Sequence, residues 1–185
     1  MATTLSLPRL AIGRASLQQL TAALEREVPA QSAALLREVG FAAGQAAYDG
    51  FVESVASRFG VETPQALDAR YLGEALGGFF REDGWGSLTA EPLAPGLLAL
   101  DSPDWAEAEP RGAMVPSCHF STGLLSDVFT RLGGYQAAVM EVECRSRGDA
   151  RCRFLVSSPD LLTWLYEGMV AGGSYESLVA RLRPA

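Results

Sequence analysis

The order of structural signals along these 185 residues predicts an α+β fold, an antiparallel sheet of about four to five strands packed with helices. Three observations carry that expectation. Segments of helical hydrophobic period occupy both ends of the chain, two pairs of strand-like segments are each joined by a tight turn, and one further helical segment lies between the pairs. The length is near that of one ordinary domain and suffices to bury a core without staples.

Residues 5–12 (LSLPRLAI) alternate apolar and polar, and Pro8 confines such a strand to an edge. Residues 1–15 are therefore read as an N-terminal arm or edge strand, and residues 16–185 as one domain. Ser16 precedes LQQLTAALEREV, whose leucines at 17, 20 and 24 keep helical spacing until Pro29. From about Ala30 to Gly60 a second helix carries Leu35, Leu36, Val39, Ala43, Ala46, Ala47, Phe51, Val55 and Phe59 as a broad apolar face. Gly40 and Gly44 stand four apart on it, where missing side chains permit close packing. Thr63-Pro64 opens a third helix to about Arg81, which EDGWG ends.

SLTAEPL and GLLALDS flank Ala94-Pro95-Gly96 and predict a hairpin. Pro103 to Arg111 reads as acidic and irregular. Pro116-Ser117 caps a helix running through Leu132 and ended by Gly133-Gly134. YQAAVMEVEC and RCRFLVSS flank the turn RSRGDA and predict a second hairpin. Ser158-Pro159-Asp160 caps a last helical region, divided by Gly172-Gly173 before Ser174 caps its final piece.

Composition excludes several function classes. Fifteen Lys and Arg against 22 Asp and Glu give a net charge of -7, with no basic run to track phosphates, so nucleic acid is not an expected partner. Arg145, Arg147, Arg151 and Arg153 cluster around one turn and read as a solvated hairpin tip rather than an anion patch. No apolar run approaches the roughly 20 residues of a membrane span. No basic segment followed by an apolar stretch opens the chain, so the expected location is the cytoplasm, where thiols stay reduced.

All three cysteines fall in the last third, with one glutamate among them, as Cys118, Glu141, Cys144 and Cys152 in the order C-x22-E-x2-C-x7-C. Three thiolates and a carboxylate are four ligands, the number a closed, structural zinc site takes. A hairpin centred near Gly148 sets Cys144 opposite Cys152, and Cys118 at a helix start meets the positive end of the helix dipole. Glu141 is the awkward member. Residues three apart on a regular strand point to opposite faces, and Glu143 shares the difficulty, so the ligand set requires a β-bulge between Val139 and Cys144. Spacing alone leaves alternatives open: three thiols packed in a core, a Cys144–Cys152 disulfide, or His119 in place of Glu141.

CHFSTGLLSDVFTRLGG followed by AAVMEVECRSRGDARCRFLV resembles the 4-vinyl reductase domain family, with the match strongest from Pro116 to Ser157 within a motif-bearing core of 112–158. The resemblance implies the fold of the TRAPP vesicle-tethering subunits, a homodimer, and an apolar ligand cavity between helices and sheet. In the aromatic-sensing transcriptional activators that contain this domain, a zinc is held by Cys, Glu, Cys and Cys at the same spacing, which implies a structural zinc on Cys118, Glu141, Cys144 and Cys152. The segment before Cys118 departs from the pattern of those activators, so no phenol-binding histidine or tryptophan is assigned. Phe41, Tyr48, Phe51, Phe79, Phe80, Trp85, Phe120 and Val139 are the candidate pocket residues, as apolar groups on elements expected to face one another.

Three functions are then in view. The first is a stand-alone sensor or carrier domain that encloses a small apolar ligand and signals to a regulatory partner. The others are a carrier or enzyme of bacteriochlorophyll synthesis and a tethering subunit. No G-x-G-x-x-G opens a helix after a strand, and no general acid and base pair is evident, so the reading favours binding over chemistry.

Overall fold

The computed structural model describes residues 12–110 and 112–182. Its elements are α1 (Arg14–Glu27), α2 (Pro29–Phe59), α3 (Ala69–Glu82), β1 (Thr89–Ala94), β2 (Leu97–Ser102), α4 (His119–Gly133), β3 (Ala138–Glu143), β4 (Cys152–Ser157), α5 (Pro159–Val170) and α6 (Tyr175–Ala180). The α+β expectation is met. The edge strand expected at residues 5–12 lies outside the described residues, except for Ile12, which belongs to no strand.

The four strands pair antiparallel in the order β1-β2-β4-β3. Pro92 sits on edge strand β1, where its missing N–H costs no ladder bond. Helices cover both faces. Leu100, Phe154 and Val156 pack into the core shared with α2, α3 and α4, while Leu97, Ala99 and Leu155 face Leu162 and Leu165 of α5 and Leu178 and Val179 of α6. Central β4 is consequently buried along its whole length, and its sequence is mostly apolar.

Two boundaries differ from expectation. Ser16 lies inside α1 rather than capping it, its amide donating to Gly13 O at 2.9 Å. Thr63-Pro64 opens only a 3₁₀ turn, Pro64–Ala66, which extended Leu67 terminates. The chain restarts as α3 under Asp68, whose carboxylate accepts the Arg70 amide at 2.9 Å.

Close packing of α2 on α4 sets which face of α2 is buried. A Cβ on Gly40 would stand 2.0 Å from Phe120 O, one on Gly44 2.4 Å from Asp127 Cβ, and one on Gly123 of α4 2.0 Å from Arg37 O. The buried stripe therefore runs Leu36, Gly40, Gly44, Ala47, Phe51 and Val55, and Val39, expected inside, is 52% exposed.

The arginine cluster is neither a solvated tip nor an anion patch. Arg153 forks onto Asp101 with bonds of 2.7 and 2.6 Å, and Arg151 binds Glu143 at 2.9 and 3.0 Å and Asp101 at 3.1 Å. Tyr175 of α6 also donates to Glu143. Alternation along β4 sends Arg153 to the face under α5 and α6, where the acidic partners neutralise it.

Candidate metal centre and aromatic cluster

The cysteine and glutamate set converges because β3 contains the expected bulge. Glu141 opposes Phe154 and Glu143 opposes Arg153, leaving Val142 as the extra residue. Met140 and Val142 both pack toward α5 and α6, and Glu143 joins the arginine network on that same side. Glu141 and Cys144, three apart in sequence, thereby share the inner face with Val139. The turn after β3 is fastened by Asp149, whose carboxylate accepts the Cys144 amide at 2.7 Å.

One ligand atom each from Cys118, Glu141, Cys144 and Cys152 lies within 4.8 Å of the others. Cys118 Sγ is 3.8 Å from Cys144 Sγ and 3.9 Å from Cys152 Sγ, and none of the three is in a disulfide. His119, partly buried, is outside this group. Glu141 Oε2 accepts the Cys118 amide at 2.8 Å, while Oε1 is buried without a hydrogen-bond partner. A buried carboxylate oxygen left unpaired costs on the order of several kcal/mol, and a cation among the sulfurs removes that cost. The residues fit a metal ion.

Electrostatics point the same way. With protons as the only available cations, burial and the neighbouring Cys144 charge push Glu141 up to about 9. Contacts with the Cys144 and Cys152 sulfurs, together with burial, raise the Cys118 thiol well above its ordinary value. A divalent ion inverts this balance and takes the place of the protons.

A second buried carboxylate holds the start of α4. Glu107, 2% exposed, accepts the amides of Phe120 at 3.0 Å and Ser121 at 2.8 Å, and the Ser121 hydroxyl as well. Burial lifts it to about 7 against those hydrogen bonds. Trp105 Nε1 donates to Ser121 Oγ at 2.7 Å. The first-turn amides of α4 are thus shared between Glu141 from β3 and Glu107 from the segment after β2, consistent with the preference of anions for a helix N-terminus. Neither Trp105 nor Glu107 stands out in the sequence, where both belong to the acidic stretch PDWAEAEP. The one available signal is a tryptophan between short-chain residues, which an exposed loop rarely carries.

Trp105, 0% exposed, is the hub of an aromatic cluster. Its ring centroid lies 5.6 Å from that of Phe80, 5.5 Å from Trp85 and 5.7 Å from Phe154. Trp85 stacks on Phe120 at 5.9 Å, and Phe79 bridges Phe80 and Phe51 at 5.1 and 5.7 Å. The structure therefore brings together Phe51, Phe79, Phe80, Trp85 and Phe120 of the candidate pocket residues, filling the space between one another. Tyr48 and Val139 pack at the margin of the same core. Phe41 does not join them. It is 48% exposed, on the side of α2 away from the Gly40 contact with α4.

An open pocket of about 410 Å³ lies elsewhere, between the 3₁₀ turn and α3, the β1–β2 hairpin and the C-terminal end of α4. None of the candidate pocket residues lines it. Its walls come from Leu67, Leu72, Leu98, Phe129, Leu132 and Val156 among others.

Residues 107–158 match the 4-vinyl reductase domain, a span that opens at Glu107, takes in the whole sulfur and carboxylate set and closes just after β4. The chain contains a 4-vinyl reductase domain. Two solved structures share the architecture around this 4-vinyl reductase segment. The phenol-responsive sensory domain of the transcription activator PoxR, with phenol, superposes at TM-score 0.57 with 17% identity, over 96% of this chain and 85% of that one. A trafficking protein particle complex subunit 3 from Naegleria fowleri, covalently bound to palmitic acid, superposes at 0.54 with 11% identity, over 78% of this chain and 96% of that one. At such identities the likeness speaks for the fold. No curated protein matches the chain. Among the described residues, no helix is long and apolar enough to cross a membrane.

Proposed function

We propose that the chain is a zinc-containing small-molecule-binding domain, a cytoplasmic homodimeric sensor or carrier that encloses an apolar ligand and passes its occupancy to a regulatory protein partner. The observation that carries the reading is the joint hold on α4. Its first turn is gripped by the Cys118 and Glu141 side of the ligand cluster and, through Ser121, by Glu107 and Trp105 at the heart of the aromatic cluster.

Zinc suits the donor set. Tetrahedral zinc with sulfurs at about 2.3 Å places them about 3.8 Å apart, against 3.8 and 3.9 Å between Cys118 and the other two thiols. Four protein ligands close the coordination sphere, so the ion serves as a clasp between α4 and the β3–β4 hairpin and offers no position to a substrate. Glu141 Oε1, otherwise orphaned, is the fourth donor.

The ligand reading rests on the aromatic cluster and on the fold shared with a phenol-responsive sensory domain. A flat apolar molecule entering beside Trp85 must displace ring contacts with Trp105 and Phe120, two residues tied to the start of α4. Occupancy then reaches the clasp and the surface around it by direct packing.

Phenol titration of the zinc-loaded chain, followed by tryptophan fluorescence, tests this. A saturable change that Trp105→Phe reduces is expected. No saturable response to phenol, indole or toluene removes the ligand-binding reading.

A further inference from the structure

We infer that the open pocket at the C-terminal end of α4 is a binding site for an uncharged aliphatic molecule with a hydroxyl donor, separate from the aromatic cluster. The two lie at opposite ends of the same elements. Cys118 and Cys152 mark one end of α4 and β4, whereas Leu132 and Val156 mark the other, about 20 Å away along a helix of this length.

The lining identifies the ligand class. Pro64, Leu67, Leu72, Leu97, Leu132 and Val156 supply aliphatic wall, and no charged residue takes part, although charged residues make up 20% of the chain. Leu97 and Phe129 are buried, but Leu67, Leu72, Leu98 and Leu132 remain partly open and gain from being covered. A volume of about 410 Å³ falls in the range of small-molecule sites, about 300–1,000 Å³.

The polar features at the rim choose between an alcohol and an acid. The last carbonyls of α4 end at this pocket, the negative end of the helix dipole. Gln65 Nε2 donates to Arg131 O at 3.4 Å, to Leu132 O at 3.1 Å and to Tyr48 OH at 3.2 Å, fixing the helix end as a wall. These carbonyls accept hydrogen bonds from a hydroxyl and repel a carboxylate. The net charge of -7 adds to that repulsion, and a buried carboxylate without a cationic partner is costly.

Calorimetric titration of the full chain with n-decanol and with decanoate tests the assignment, alongside Leu132→Trp and Leu72→Trp, which fill the pocket from opposite walls. Thermal melting and zinc content identify variants that keep the fold, and either one suffices. The expected result is one n-decanol per chain, decanoate at least about tenfold weaker, and a loss of at least about tenfold in the variants, with the phenol fluorescence response retained. Absence of saturable n-decanol binding, equal binding in a folded variant, or decanoate as tight as the alcohol overturns the inference. Joint loss of the phenol and n-decanol responses overturns the separateness of the sites. A wild-type chain that binds n-decanol and ignores phenol upholds this site and counts against the proposed aromatic one alone.

Discussion

The Cys118 amide donates to Glu141 Oε2 at 2.8 Å, so the carboxylate that faces the three sulfurs also caps the helix that carries one of them. One oxygen orients α4 and the other is left for an ion. The cap and the ligand site are therefore a single device, and the predictions below separate its parts.

Glu141→Gln keeps an acceptor for the Cys118 amide while removing the negative charge. We expect zinc affinity to fall at least about a hundredfold, more than typical outer-shell changes cost, with the fold of the metal-free chain retained. Competition against a chromogenic chelator measures the first, and far-ultraviolet circular dichroism in excess chelator the second.

Cys144→Ala removes a ligand held by the β3–β4 turn. Zinc near one per chain in the wild type is expected to disappear, and the melting temperature of the purified chain to drop to that of the chelator-treated wild type, because binding energy here is folding energy. A variant that loses zinc yet melts like the loaded wild type contradicts a clasp.

Gly40→Val tests the α2–α4 contact. The new side chain would enter at the Phe120 carbonyl, 2.0 Å from its Cβ, and overpacking against backbone costs about 3 kcal/mol or more. Urea unfolding gives the value, with Gly13→Val as the control since nothing lies within 4 Å there.

Glu107 makes stability depend on pH. Its folded value of about 7 stands above the ordinary 4.5, so the folded chain holds the proton that the unfolded chain has released. Its contribution is fully present below about pH 4.5 and declines as pH rises to about 7. Glu107→Gln removes that decline. The melting-temperature difference, variant minus wild type, is expected to rise between pH 5 and 7, and an unchanged difference shows that Glu107 does not titrate in this window.

Much of the metal centre was legible in the sequence because its constraints are local. Cys144 and Cys152 flank one turn, and the three-residue step from Glu141 to Cys144 demands a bulge on any strand, which Val142 supplies. The aromatic cluster was legible only in part. Phe51, Phe79 and Phe80 keep helical period, but Trp105 and Glu107 lie in a segment with no period at all and acquire their burial from α4. The open pocket was not legible, because turn residues such as Pro64, Leu67, Gly96 and Gly133 meet there only once the sheet order is known. The same holds for Arg153, whose partner Asp101 stands on a neighbouring strand.

The most direct test of the account is X-ray absorption at the zinc edge on chain purified without added metal. Three sulfurs at about 2.3 Å and one oxygen at about 2.0 Å are predicted. A coordination sphere with fewer than three sulfurs, or with a water that exchanges for added ligand, contradicts a closed clasp built from Cys118, Glu141, Cys144 and Cys152.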